Sequence, residues 1–201
     1  MRRSGSYADR SRKRTLTDEE IRTVWTACKG TFGALVKVAL LTGQRRAKLA
    51  RMKWADIQDG TWAIAAEPRE KVNAGTLPLP KMAVEIIDAQ PEIEGNPYVF
   101  AGRGAKAFNS FSACKADLDK RAGISPWVVH DLRRTARSLM ARAGVRPDIA
   151  ERTLGHVIQG VEGTYDRHGY TEEKGKALAA LAGLIERILQ GEADNVVALH
   201  G

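Results

Sequence analysis

Cysteine is nearly absent from this sequence: Cys28 and Cys114 are the two in 201 residues. They stand far apart in apolar helical contexts, so they offer neither a disulfide framework nor a metal-binding spacing, and they fit a reducing cytoplasm. Long apolar runs are missing as well. No stretch approaches the roughly 18 residues of a membrane span, and the basic start lacks the apolar centre of a signal peptide, so a soluble intracellular protein without a membrane partner is expected. No carboxylate pair or His/Cys cluster is spaced like a metal site, so neither a metal nor another cofactor is expected. Internal repeats are also missing.

What is present is enough apolar content, 43%, for one folded core. Negative charge is in short supply. The 32 Lys and Arg outnumber the 24 Asp and Glu to give a formal charge of +8, which favours polyanionic partners such as nucleic acid or an anionic membrane surface. Residues 1–14, MRRSGSYADRSRKR, hold six Arg or Lys against one Asp, so +5 sits there and the other 187 residues carry +3. Rich in Ser and Arg with little to bury, this stretch reads as a flexible linker or as an arm lying along a phosphate backbone.

Hydrophobic periodicity predicts a mainly α-helical α+β domain over residues 15–190. Thr17 and Glu20 form a capping-box pattern ahead of a helix that places Ile21, Val24, Trp25 and Cys28 on one face, with Gly30 as its stop. Residues 32–42 are apolar nearly all round, as a helix in the middle of a core would be, and Gly43 ends it. Asp59-Gly60 between Trp54/Ile57 and Trp62/Ile64 signals a hairpin, and EPREKVNAG then leads into TLPLP; together they predict a small three-stranded antiparallel sheet near residues 53–80. Helices are expected over 82–89, 107–122, 129–143 and 147–154, the last opened by Pro147. A final helix carries a stripe of Leu178, Leu181, Leu184, Ile185 and Ile188, which either this domain's core or a neighbouring subunit must cover. Residues 191–201 form a tail that could pack on such a subunit.

The stretch WVVHDLRRTARSLMARAGVRPDIAERTLGH concentrates polar chemistry. His130 and Arg133 lie three apart and share a helix face, which alone is better explained by a solvated surface pair. His156 follows a Leu154-Gly155 helix stop, and Tyr165 lies nine residues further on. At this point the sequence resembles the tyrosine recombinases of the phage-integrase type. TGQRRAKLARMKWADI resembles that family's first arginine box and supplies Arg45. HDLRRTARSLMARAGV resembles the His-x-x-Arg box with His130 and Arg133, LGH supplies His156, and GTYDRHGY supplies Tyr165. The hairpin lysine corresponds best to Lys71, with Arg69 as a competitor, and the boxes follow family order across about residues 15–170.

The resemblance implies a site-specific recombinase acting on double-stranded DNA with other integrase subunits in a synapse. A tyrosine hydroxyl that attacks a phosphodiester keeps the bond energy in a 3′-phosphotyrosine link, so the strand can be rejoined without a high-energy cofactor. Arg45 and Arg133 would hold the charge of the pentavalent phosphate, while Arg134 would contact DNA beside them. His130 is implied as the base, Lys71 as the acid for the leaving 5′-oxygen, His156 as a donor to the phosphate and Tyr165 as the nucleophile. Tyr170 is the rival nucleophile, better explained by packing at the start of the last helix. Asp166, Arg167 and His168 would shape the loop around Tyr165.

Two departures stand against this. The family usually has an acid three positions after the first arginine, where this sequence has Lys48; the lysine could pair with another acid, lie beside the DNA backbone, or mark a chain that binds DNA and cleaves it poorly. The family's N-terminal clamp domain has no counterpart, so an isolated catalytic domain with weak, strongly salt-dependent binding is expected. A DNA-binding remnant without catalysis is the alternative, and a site-independent topoisomerase a third.

Overall fold

The computed structural model describes residues 14–65, 75–156 and 170–191. The arm over 1–13, the turn over 66–74, the segment 157–169 and the tail over 192–201 lie outside the described residues, and with them Arg69, Lys71, Tyr165, Asp166, Arg167 and His168. The order is α1 (Asp18–Ala27), α2 (Gly30–Thr42), α3 (Arg46–Ala50), β1 (Ile57–Gln58), β2 (Thr61–Ile64), β3 (Gly75–Pro78), α4 (Lys81–Asp88), α5 (Phe111–Ala122), α6 (Val129–Arg142), α7 (Pro147–Leu154) and α8 (Thr171–Gln190). Helices dominate and the sheet is small, antiparallel and ordered β1-β2-β3, as the periodicity predicts.

Helix α2 forms the centre because its sequence leaves almost no polar face. Leu35, Val38 and Leu41 are fully buried, and α1, α3, α4, α5, α6 and α8 all pack against it. Burying one such side chain contributes about 1.5–3 kcal/mol, so α2 cannot shift without disturbing every neighbour. The capping box at Thr17 and Glu20 starts α1 as expected. That helix, however, ends at Ala27, and Gly30 opens α2 at a φ of 60° rather than stopping α1.

The Asp59-Gly60 turn has both residues at positive φ, 48° and 69°, which is the primed-turn geometry that matches strand twist. It sets the register Ile57 to Trp62 and Gln58 to Thr61, and β3 continues the sheet with Trp62 opposite Leu77. A second correction concerns residues 107–110. They are not helical, because Ala107 bridges to Ala101 and the Phe108 N–H donates to the Phe100 carbonyl. Phe108 instead packs its ring against Phe32 and Phe111, and α5 begins only at Phe111.

The stripe on α8 is covered by this domain itself: Leu178, Leu181, Leu184, Ile185 and Ile188 are all buried, and α8 packs on α1, α2, α6, α7 and β3. No helix among the described residues is long and apolar enough to cross a membrane.

Candidate active site

Two helix ends and one helix face meet at a cleft of about 460 Å³ lined by Arg45, His130, Arg133, Arg134, Arg137, Leu154 and His156. Each lining residue arrives by a local rule. Gly43 ends α2 in the left-handed conformation at φ 64° and turns the chain so that Arg45 becomes the N-cap of α3. His130, Arg133, Arg134 and Arg137 recur at the three- and four-residue spacing that keeps them on one side of α6. Gly155 ends α7 at φ 70°, and the next N–H, that of His156, donates 2.9 Å back to the Glu151 carbonyl. This is the Schellman closure, and it returns His156 to the end of its own helix.

Arg133 ties the three segments together. Its guanidinium is buried and donates 2.8 Å to the Gly43 carbonyl and 2.8 Å to the Leu154 carbonyl, each two residues ahead of Arg45 or His156. A planar fork suits this task because its N–H groups diverge at fixed angles. Gln44 adds a second tie: it is buried and its amide donates 2.8 Å to the Thr153 carbonyl.

Acids stand behind the cations. Asp131 is fully buried, accepts the Val128 N–H at 2.9 Å and receives Arg134 at 2.7 Å. Glu151 receives the Arg137 Nε at 2.6 Å on one oxygen, and its other oxygen meets the His156 Nδ1. Burial alone would raise the Glu151 carboxyl, but hydrogen bonds from Arg137 and His156 and their charges outweigh it and hold the group below its usual value. His130 moves down from the ordinary imidazole value, first through desolvation and then through the charges of Arg134 and Arg133, with Asp131 opposing them. The ring is therefore neutral at neutral pH and free to accept a proton. Among the described residues no three of His, Cys, Asp and Glu converge to hold a metal ion. The cleft's charge comes from guanidinium groups, whose geometry fits the non-bridging oxygens of a phosphate.

The Phage integrase family matches residues 14–171. The chain belongs to the phage integrase family. Prophage integrase IntZ of Escherichia coli (strain K12) is 29% identical over 160 residues, which are 78% of this chain and 40% of that protein. The lambda integrase catalytic core has 25% identity and a TM-score of 0.58, over 71% of this chain and 94% of that one. A lambda integrase (75-356) dimer bound to a COC′ core site has 24% identity and a TM-score of 0.62, over 76% and 61%. The fold is that of an integrase catalytic domain.

Arg45, His130, Arg133 and His156, drawn from three distant boxes of the integrase sequence, thus line one cleft, with Arg134 beside them. Lys48 stands elsewhere. It is buried, donates 2.8 Å to the Ala65 carbonyl at the end of β2, and lines a separate cavity of about 370 Å³ with Arg51, Lys53, Asp56 and Tyr98. A carbonyl offers a lysine what it could not offer an acid, and Lys48 lines no part of the Arg45 cleft. Tyr170 is the N-cap of α8, with the Arg152 guanidinium 4.0 Å over its ring. Arg137 and Glu151 were not singled out from sequence. Arg137 was detectable at four residues beyond Arg133 on the same face, whereas Glu151 becomes visible only once the Schellman closure folds His156 back.

Proposed function

We propose that this integrase chain is the catalytic domain, over about residues 15–190, of a site-specific DNA recombinase that cuts and rejoins double-stranded DNA through a 3′-phosphotyrosine link. The observation that carries this reading is the convergence of Arg45, His130, Arg133 and His156 on one cleft. The chain spans 40% of the length of its prophage relative, so further parts of such a protein would complete DNA capture. The lambda integrase dimer on a core site supports the same class of partners here: double-stranded DNA and further integrase subunits.

In this mechanism the Tyr165 oxygen attacks the scissile phosphorus as the bond from phosphorus to the 5′-oxygen breaks. His130, neutral at working pH, takes the phenolic proton. Lys71 gives a proton to the leaving 5′-oxygen. Arg45, Arg133 and His156 stabilise the charge that builds on the non-bridging oxygens, and Arg134 contacts the adjoining backbone. A 5′-hydroxyl of another strand then attacks the phosphotyrosine, and the same groups act in reverse.

The test is covalent trapping. Wild type and Tyr165→Phe are incubated with nicked suicide duplexes at low salt and with a chelator, then resolved on a denaturing gel. An adduct with wild type and none with Tyr165→Phe is expected. Binding without any adduct would favour the DNA-binding remnant, and adduct formation by Tyr165→Phe would move the nucleophile to Tyr170.

A further inference from the structure

We infer that Lys48 is a positioning residue: by holding the residue that follows β2, it fixes the base of the chain that carries Lys71 to the same short helix that begins at Arg45. This rests on the recombinase reading, in which Lys71 is the acid for the leaving 5′-oxygen.

Lys48 is bonded in both directions. Its backbone N–H donates 2.9 Å to the Arg45 carbonyl in the first turn of α3. Its Nζ donates 2.8 Å to the Ala65 carbonyl. The residue is 6% exposed, and the cavity its side chain lines is also lined by Trp62, Ile64 and Tyr98. A buried donor that leaves its acceptor loses the bond without regaining water, so this contact is costly to break.

The sheet shows why the contact matters at Ala65. The ladder between β2 and β3 runs from Thr61 opposite Pro78 to Ile64 opposite Gly75, and Ala65 lies one residue past that last pair. Residues 65–74 then separate the two strands, well beyond the about two to five residues of an ordinary hairpin loop. Closing a long connection costs entropy, and the strand ends beside it are the first to fray. Both ends of this connection are tied to other elements. On the β3 side, the Thr76 and Thr171 hydroxyls share a hydrogen bond of 3.3 Å, and Pro78 lies against Gly175 of α8, where an added Cβ would come 3.3 Å from it. On the β2 side the tie is Lys48. A side chain that must bring a proton to within about 3 Å of its acceptor is thereby placed from two fixed points. The acid usual in the family at this position could not make the bond, because a carboxylate and a carbonyl both accept.

The experiment compares single-turnover cleavage of two suicide duplexes, one with oxygen and one with sulfur at the bridging 5′ position of the scissile phosphate. On the sulfur duplex the Tyr165 oxygen bonds to phosphorus while the phosphorus–sulfur bond breaks and its electron pair leaves on sulfur. A thiolate, whose acid titrates near about 8.5, leaves without a donated proton. Lys48→Met keeps the apolar stem and removes the donor. It is expected to cleave the oxygen duplex about tenfold more slowly than wild type and the sulfur duplex within about twofold of it. Lys71→Ala marks complete loss of the acid, about a hundredfold or more on oxygen and likewise rescued by sulfur. Lys48→Arg, which keeps a donor, should recover most of the oxygen rate. Equal slowing of Lys48→Met on both duplexes would show that Lys48 merely supports the fold, and an unchanged oxygen rate that the tie is dispensable; either result overturns the inference.

Amide hydrogen exchange followed by NMR reads the same tie without cleavage. In Lys48→Met, exchange over residues 62–65 and 75–77 should quicken about tenfold while α6 stays as in wild type. If wild type forms no adduct on either duplex, the recombinase reading fails and exchange alone decides whether Lys48 anchors the sheet. Equal protection in the two proteins would overturn the inference. Lys48→Gln, with a donor on a shorter stem, replaces Lys48→Met in both measurements if the methionine variant does not fold.

Discussion

Replacing Arg133 by alanine removes a group that ties three segments together and, in the proposed mechanism, also holds the phosphate. Each of its two bonds, to the carbonyls of Gly43 and Leu154, is charge-assisted and buried, and such bonds contribute about 1.5–3 kcal/mol net. Part of that loss is offset because alanine no longer holds a charge out of water. The remainder is about 3 kcal/mol, or a fall of about 6–12 °C in melting temperature for a domain of this size. Arg45, partly exposed at the N-cap of α3, is the control, and Arg45→Ala should cost less than about 1 kcal/mol. Both variants should fail to form the covalent adduct. Arg133→Lys, able to reach one carbonyl and not both, should melt between wild type and Arg133→Ala. Thermal unfolding followed by circular dichroism reads all three. A melting temperature for Arg133→Ala within about 2 °C of wild type, or an equal fall for Arg45→Ala, would refute the claim that Arg133 staples the segments.

Three further outcomes follow from other contacts. Gly43→Ala should destabilise by about 2 kcal/mol or more in urea unfolding, because its Cβ would come 2.4 Å from the fully buried Leu154 side chain at a left-handed φ of 64°. Lys48→Glu, which restores the family's usual acid, should lower stability by about 1–3 kcal/mol and bring no gain in cleavage, because the Ala65 carbonyl would lose a donor and face a carboxylate; a variant more stable than wild type would contradict this. His130 favours its neutral form in the folded state, so the fold binds fewer protons than the unfolded chain between its lowered value and the ordinary value of about 6.5. Stability contributed by that ring is therefore lost as the pH falls through this window, and the acid limb of the cleavage rate should lie below about pH 6.5; a limb centred above it would contradict the assignment.

Elements with a strong local signal were legible in the sequence. The capping box, the Asp59-Gly60 turn, Pro147 at the start of α7 and the apolar surface of α2 each state a backbone conformation or a burial preference in the residues themselves. Residues 107–110 were misread because Phe108 and Phe111 give a helical spacing that here serves ring packing against Phe32 on α2. Tertiary contact decided what periodicity could not. The two possible partners for the α8 stripe were likewise indistinguishable from sequence, since an apolar face does not name what covers it.

The site divides the same way. His130 and Arg133 share a helix face by spacing alone, but the bonds that bring Arg45 and His156 to them run through carbonyls of Gly43 and Leu154, and a carbonyl has no residue type. What the sequence does carry is the reason those carbonyls are available: Gly43 and Gly155 end two helices in the left-handed conformation, where the last carbonyls have no helical partner. Arg133 fills a vacancy that two glycines create. Loss of cleavage in an Arg133 variant would therefore mix loss of the proposed phosphate contact with displacement of Arg45 and His156. Arg45 variants, which leave that frame in place, isolate the chemistry.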